Sequence, residues 1–243
     1  MMKDRFRRRM IFLSSRPREL SKLLKMIPNL VTVTGMGCGF FAILVAHRGA
    51  VGASLFLILC SVICDVLDGK LARRLGVSSN FGAELDSFSD VIAFGVAPAV
   101  ILFEASLHRL GWVGAAAAFF FLAMAVVRLI RFNLDASQKE RRDFFRGFST
   151  PTAALYLTSF IVMRDHLPAA VGVVYAVTLG SLMVSSFPVP AFKGAGLSPA
   201  YLAIALLNTL ILFLSPSVWT FAWWNLFGLF VLFQGYRRRP AEG

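Results

Sequence analysis

The sequence predicts an all-α, polytopic membrane bundle of about eight transmembrane helices, six being the alternative, with both termini cytoplasmic. Three observations carry this expectation. Of 243 residues, 57% are hydrophobic, 24 are Phe, and mean hydropathy is +0.71, too apolar for an ordinary soluble domain. The apolar residues gather into eight runs, several close to the ~17–25 residues that a bilayer crossing needs. The basic residues fall overwhelmingly on one side of those runs.

Taken in order, residues 1–28 are a basic juxtamembrane segment containing Lys3, Arg5, Arg7, Arg8, Arg9, Arg16, Arg18, Lys22 and Lys25. No apolar stretch with a cleavage site stands directly behind this start, so a removed signal peptide is not expected. Glu19–Ile27 can form a short amphipathic helix, with Leu20, Leu23, Leu24 and Ile27 opposite Lys22 and Lys25, suited to a membrane surface. Pro28 and Asn29 then read as the start and cap of the first apolar helix, Leu30–Ala46. The next runs are Val51–Leu67, Phe88–Leu107 and Trp112–Ile130, followed by a polar stretch, Arg131–Thr150. Four more close the chain: Pro151–Met163, Pro168–Val184, Pro199–Leu214 and Val218–Phe233. No internal repeat or low-complexity linker marks a second domain. Residues 29–236 are therefore read as one membrane domain and 237–243 as a basic tail.

With eight crossings, only Arg48, Arg109 and Arg164 of the 25 Lys and Arg fall on the second face, leaving 22 on the first. That asymmetry puts the first face in the cytoplasm. A net charge of +12 could suggest nucleic acid. Because the cations lie beside apolar spans, the expected partner is instead a bilayer with anionic lipids, with no nucleic acid. Cys38, Cys60 and Cys64 lie inside apolar runs without zinc-like spacing, and neither a disulfide nor a nucleophile is expected of them. His47, His108 and His166 fall near the outer ends, away from the chemistry described next.

That chemistry is concentrated between Asp65 and Asp90, which run Asp65-x2-Asp68-Gly69-x2-Ala72-Arg73-x8-Gly82-x3-Asp86-x3-Asp90. On a helix, Asp65 and Asp68 share a face that Ala72 continues. On a second helix, Gly82, Asp86 and Asp90 form a stripe. Gly76, Ser78, Ser79 and Asn80 can turn the chain between them. Two helices so joined can close an all-oxygen cage, which suits Mg²⁺ or Mn²⁺ rather than zinc. Carboxylates at membrane depth otherwise cost several kcal/mol each. Gly69, Ala72 and Gly82 would leave room for a ligand beside the cage.

This pattern resembles, position for position, the signature of the CDP-alcohol phosphatidyltransferases, an integral-membrane family. The resemblance implies a CDP-linked lipid donor, an alcohol acceptor, CMP as leaving group, two divalent ions and a homodimer. It further implies Asp65, Asp68 and Asp86 as metal ligands, with Asp90 as a fourth ligand or the catalytic base. Gly69, Ala72, Arg73 and Asp65 would contact the nucleotide, with Asn29 helping from the first helix. For Arg73 the competing expectation is a snorkelling arginine that only sets topology.

Beyond the shared motif, Pro28-Asn29-Leu30, Phe81–Ser87, Asp90–Ala99, Arg128–Asn133, Phe145–Ala154 and Leu182–Lys193 resemble the family's bacterial serine-accepting branch. They imply CDP-diacylglycerol and L-serine as substrates, at the cytoplasmic face of the cell membrane. Glu84, Arg128, Arg131 and Asn133 are candidate acceptor-binding residues, with topology-setting or solvated charge as the competing role; Lys193 is a weaker candidate. Ile130 and Phe148-Ser149-Thr150 depart from that branch and bear on the acceptor pocket's shape. Glycerol 3-phosphate or an inositol compound is the alternative acceptor. From a different class, an ion transporter would explain buried acids but not the Gly69, Ala72 and Arg73 spacing.

Overall fold

A computed structural model describes residues 18–77, 79–137, 144–186, 188–190 and 199–237. The N-terminal cations up to Arg16, the candidate Lys193 and the tail beyond Arg237 lie outside the described residues. Helix follows helix: α1 (Arg18–His47), α2 (Val51–Leu75), α3 (Asn80–Asp90), a π-helical turn (Val91–Val96), α4 (Ala97–Ala105) and a 3₁₀ turn (Leu107–Leu110). Then come α5 (Trp112–Ser137), α6 (Thr150–Val162), α7 (Ala169–Val184), α8 (Pro199–Leu214) and α9 (Val218–Arg237). Each predicted apolar run lies within or largely overlaps a helical segment. Among the described residues, four segments are long and apolar enough to cross a membrane: Met26–His47, Val51–Leu75, Asn80–Ala105 and Trp112–Asp135. Thr150–Val162 and Ala169–Val184 are shorter apolar helices.

Three local expectations are corrected. Pro28 and Asn29 do not start the first helix; α1 begins at Arg18 and carries Pro28 in its interior. The missing N–H and the ring of Pro28 together cost about 3 kcal/mol, which the largely apolar helical stretch that follows, 30–46, outweighs. The turn between the acidic helices is also shorter than expected. α2 continues through Arg73 and Arg74 to Leu75, Gly76 closes it at φ +67°, and Ser79 caps α3 by accepting from Gly82 N–H at 3.1 Å. The third apolar helix thus begins near Asn80 rather than Phe88. Finally, the all-α expectation missed two three-residue strands, β1 (Phe144–Arg146) and β2 (Pro188–Pro190), paired antiparallel.

Lipid tails are as apolar as leucine, so helices in a bilayer associate through close packing and polar contacts rather than through the hydrophobic effect. Both are present. α1 packs along α2, and Gly39 lets it approach the π-helical turn: a Cβ there would stand 2.6 Å from Ala93 Cα. Ser61 Oγ donates to the Gly35 carbonyl (2.8 Å) and Ser89 Oγ to that of Thr32 (3.2 Å), pinning α1 to α2 and α3. Phe94, Ile101, Phe121 and Phe160 fill the fully buried centre. Trp224 of α9 stacks on Tyr156 of α6 with centroids 4.7 Å apart.

The π-helical turn has a local cause. Pro98 has no N–H and its ring would press on the carbonyl four residues back. The chain widens just before it, with Ala97 N–H bonding to the Ile92 carbonyl five residues away. Such turns are uncommon and cluster at functional sites; this one begins at the residue after Asp90.

Candidate active site

The turn 76–79 folds α3 back beside α2 so that the two acidic stripes meet. Carboxylate oxygens of Asp65, Asp68 and Asp86 lie within 4.8 Å of one another. At an effective dielectric constant near 20, each ionised pair at that separation repels by about 3.5 kcal/mol. Asp68 is only 5% exposed, so water does little to relieve it. An all-oxygen, mutually repelling set drawn from two helices has the chemistry of a hard divalent-cation site. The residues present therefore fit Mg²⁺ or Mn²⁺.

Asp90 is not in that close trio. It lies one turn farther along, at the end of α3, where its charge acts on and is acted on by Asp65, Asp86 and Arg128. Arg128 of α5 brings a positive charge to this end of the site. Its guanidinium interacts with Asp90 and Asp65, donates to Thr150 Oγ1 at 3.3 Å and lies 5.2 Å over the Phe132 ring. Arg128 thus reaches the acids across the bundle, as a planar fork held by a ring and a hydroxyl can.

The nucleotide-contact candidates gather on the trio's other side. Arg73 folds back along α2 over Gly69, its Nη1 only 3.2 Å from where a Cβ would stand, and its charge acts on Asp65 and Asp68. A Cβ at Gly69 would meet only the outer end of this exposed arginine side chain. Ala72 is half-buried on the same helix. Asn29, inside α1, brings Oδ1 to 3.2 Å from the position a Gly82 Cβ would take. Its amide thus borders the N-terminal turn of α3.

The acceptor candidates divide. Arg131 is already committed to the Val184 carbonyl at the end of α7, and Asn133 Nδ2 donates to Ser87 Oγ at 2.9 Å, tying α5 to α3. Glu84 is exposed on α3. Of the four, Arg128 alone is placed against the acids.

One residue was missed. Thr32 of α1, 5% exposed, donates its hydroxyl to Asp68 Oδ2 at 2.6 Å. No sequence spacing marks it, because α1 and α2 meet through tertiary packing; its only signal is a polar residue in an apolar run. Cys64 packs beside Gly35, whose Cβ would come within 3.0 Å of its own, in line with a core role.

A profile of the CDP-alcohol phosphatidyltransferase family matches residues 25–187. A Helicobacter pylori protein named CDP-diacylglycerol–serine O-phosphatidyltransferase is 31% identical over 199 residues, 79% of this chain and 84% of its own. A Bacillus subtilis protein of the same name is 31% identical over 169 residues, 69% of this chain and 91% of its own. An archaetidylserine synthase from Methanothermobacter thermautotrophicus is 30% identical over 176 residues, 72% of this chain and 73% of its own. The matched span takes in both acidic helices, α1 that braces them and α5 that supplies Arg128. At this identity over most of both sequences, the chain belongs to the CDP-alcohol phosphatidyltransferase family.

Proposed function

We propose that this chain is a membrane phosphatidyltransferase that makes phosphatidylserine and CMP from CDP-diacylglycerol and L-serine. The observation that carries the reading is the Asp65, Asp68 and Asp86 trio flanked by an arginine folded over Gly69. The names of the similar proteins favour serine as acceptor and a CDP-linked diacylglycerol as donor.

In the reaction, the serine hydroxyl oxygen bonds to the lipid-side phosphorus, the bond from that phosphorus to the CMP oxygen breaks, and the hydroxyl proton leaves. Asp65, Asp68 and Asp86 would hold Mg²⁺ or Mn²⁺, two ions being the expected number. When bound, such ions supply charge neutralisation to a pyrophosphate. Arg73 offers a permanently charged fork to the same pyrophosphate, while Gly69, Ala72 and Asn29 shape the bed for the nucleotide. Asp90, set apart from the trio, takes the hydroxyl proton. Its carboxylate is a weak base, so holding the hydroxyl in line matters as much as basicity.

Arg128 is the best-placed partner for the serine carboxylate, because it lies by Asp90 and retains donors beyond the one used on Thr150. Glu84 is the candidate for the serine ammonium. Arg131 and Asn133 support the pocket wall through their bonds to Val184 and Ser87. Eight crossings, with termini and acids on the cytoplasmic face of the cell membrane, would let a soluble acceptor and a lipid donor meet. A homodimer and contact with anionic lipids complete the proposal.

An acceptor panel tests it. Purified protein is given CDP-diacylglycerol, Mg²⁺ or Mn²⁺, and in turn serine, glycerol 3-phosphate or inositol, and CMP release is followed with and without chelator. Serine-dependent, chelator-sensitive release is expected. Release indifferent to serine would refute the acceptor; release indifferent to chelation would refute the role of the acidic trio.

A further inference from the structure

Arg128 stands between two pulls. On one side are Asp65 and Asp90, whose charges act on its guanidinium. On the other are the Phe132 ring, its centroid 5.2 Å from the guanidinium carbon, and the Thr150 hydroxyl oxygen, which accepts from Nη1 at 3.3 Å. Among the described residues, no ion pair closes between Arg128 and either carboxylate. Attraction between unlike charges strengthens as they leave water and approach. A guanidinium that feels two acids without pairing with either therefore needs a hold on its far side.

Thr150 supplies a hold that cannot give way. It is the first residue of α6 and fully buried, and the chain around it is fixed from two directions. Ser149 caps the helix, its Oγ accepting from Thr152 N–H at 3.4 Å. Phe148 N–H donates to the Leu182 carbonyl at 3.0 Å. Gly147, at φ +74°, runs so close to the end of α7 that a Cβ there would overlap the Met183 carbonyl. β1, just upstream, pairs with β2 beyond that same end. The oxygen at position 150 thus cannot follow Arg128 toward the acids, and a long side chain is set against a fixed point.

The consequence is chemical. An unpaired guanidinium offers a planar fork of donors that suits a carboxylate. Drawn onto Asp65 or Asp90, the same fork is spent. We propose that Thr150 is a positioning residue for the acceptor: its hydroxyl oxygen keeps Arg128 off Asp65 and Asp90, so that the guanidinium stays free for an acceptor carboxylate. This rests on the serine reading above and adds the residue that makes Arg128 available to it. Thr150 acts through Arg128 and needs no contact with substrate.

Steady-state CMP release by the full chain in detergent tests it, with L-serine and CDP-diacylglycerol varied in turn. The variants are Thr150→Val, Thr150→Ala, Thr150→Ser and Arg128→Gln. Valine keeps the shape without the oxygen, alanine removes the oxygen without crowding a buried wall, and serine restores it. The valine and alanine proteins should each show a KM for serine raised about tenfold, the lower range for a hydrogen bond to a charged group. Their KM for CDP-diacylglycerol should hold, and kcat should change far less than the serine KM. The serine protein should match the parent. With Arg128→Gln already present, Thr150→Val should move the serine KM by about twofold at most, because the group it positions is gone.

A parent-like serine KM in the valine or alanine protein, beside a raised one in Arg128→Gln, overturns the role of Thr150 and leaves the serine reading standing. Equal rises in both KM values, or a serine protein that fails like the valine one, mark lost packing and overturn it too. A parent-like serine KM in Arg128→Gln removes the premise and the inference with it. Release by the parent that ignores serine overturns both readings.

Discussion

Thr32 offers the sharpest test of how the acidic trio is held. Its hydroxyl has one proton, and the Asp68 carboxylate at 2.6 Å is a nearer and stronger acceptor than the Pro28 carbonyl at 3.1 Å. Thr32→Val keeps the shape and removes the donor. A hydrogen bond to a charged group contributes about 1.5–3 kcal/mol, and stripping it leaves a buried carboxylate oxygen unserved. Asp68 then loses the contact that fixes which oxygen faces Asp65 and Asp86. Loss of such a supporting contact weakens metal binding by about 10–100-fold. The assay is Mn²⁺ binding by electron paramagnetic resonance, alongside the Mn²⁺ dependence of CMP release, in Thr32→Val and Thr32→Ser. The valine protein should need about 10–100-fold more Mn²⁺, and the serine protein should behave like the parent. Unchanged or tighter Mn²⁺ binding in the valine protein would refute the reasoning, because the hydroxyl would then compete with the ion for Asp68 rather than orient it.

Other outcomes follow from the same geometry. Asp90→Asn should lower turnover by about 10²–10⁴-fold, the range for a lost general base, while metal-dependent nucleotide binding persists; isothermal titration and CMP release separate the two. Chelation should stop CMP release and lower the melting temperature, because three facing carboxylates lose their counter-charge. An ion at 100 times its Kd contributes about 2.7 kcal/mol, and restored Mg²⁺ or Mn²⁺ should recover both readouts. Gly39→Ala puts a methyl 2.6 Å from Ala93 Cα and should destabilise by about 1–3 kcal/mol, as overpacking does, visible as a lower midpoint of thermal unfolding. Gly147→Ala forces φ +74° on a residue with a side chain, costing roughly 1–2 kcal/mol. The added methyl would also meet the carbonyls of Leu182 and Met183, so yield and melting temperature should both drop.

The acidic motif was legible because helical periodicity is a local property. Asp65 and Asp68 at i, i+3 and Asp86 and Asp90 at i, i+4 share faces whatever the rest of the chain does, and Gly76 and Ser79 announce the turn between them. Hydropathy likewise located every apolar run that became helical. What escaped depends on contacts between segments distant in sequence. Thr32 is one threonine among several in an apolar helix until α1 packs against α2. The bond from Arg131 to Val184 and the pairing of β1 with β2 join residues more than forty apart. Pro28 misled for the opposite reason. A strong local stop signal was overruled because the helical pattern on both sides outweighs the lost hydrogen bond and the ring's pressure on the preceding turn, together about 3 kcal/mol.

The separation of Asp90 from the trio has a structural logic of its own. On a regular helix, Asp90 follows Asp86 by a little over one turn, about 6 Å along the axis, on nearly the same stripe. Rise alone does not separate it, since Asp65 and Asp68 are offset almost as far along α2 and both join the cluster; Asp90 stands outside the trio, where its charge interacts with Arg128. The widened turn imposed by Pro98 begins immediately afterwards, and Gly39 of α1 is pressed against that turn at Ala93. Asp90 is thus held from one side by a bulge that a proline requires and from the other by a helix that only a glycine lets close. Both constraints arise in the apolar part of the helix, beyond the last carboxylate. The position of Asp90, the proposed proton acceptor, is set by packing on its membrane side, while the trio is set by the turn and by Thr32. Changes at Gly39 or Pro98 should accordingly disturb turnover more than metal affinity, and changes at Thr32 the reverse.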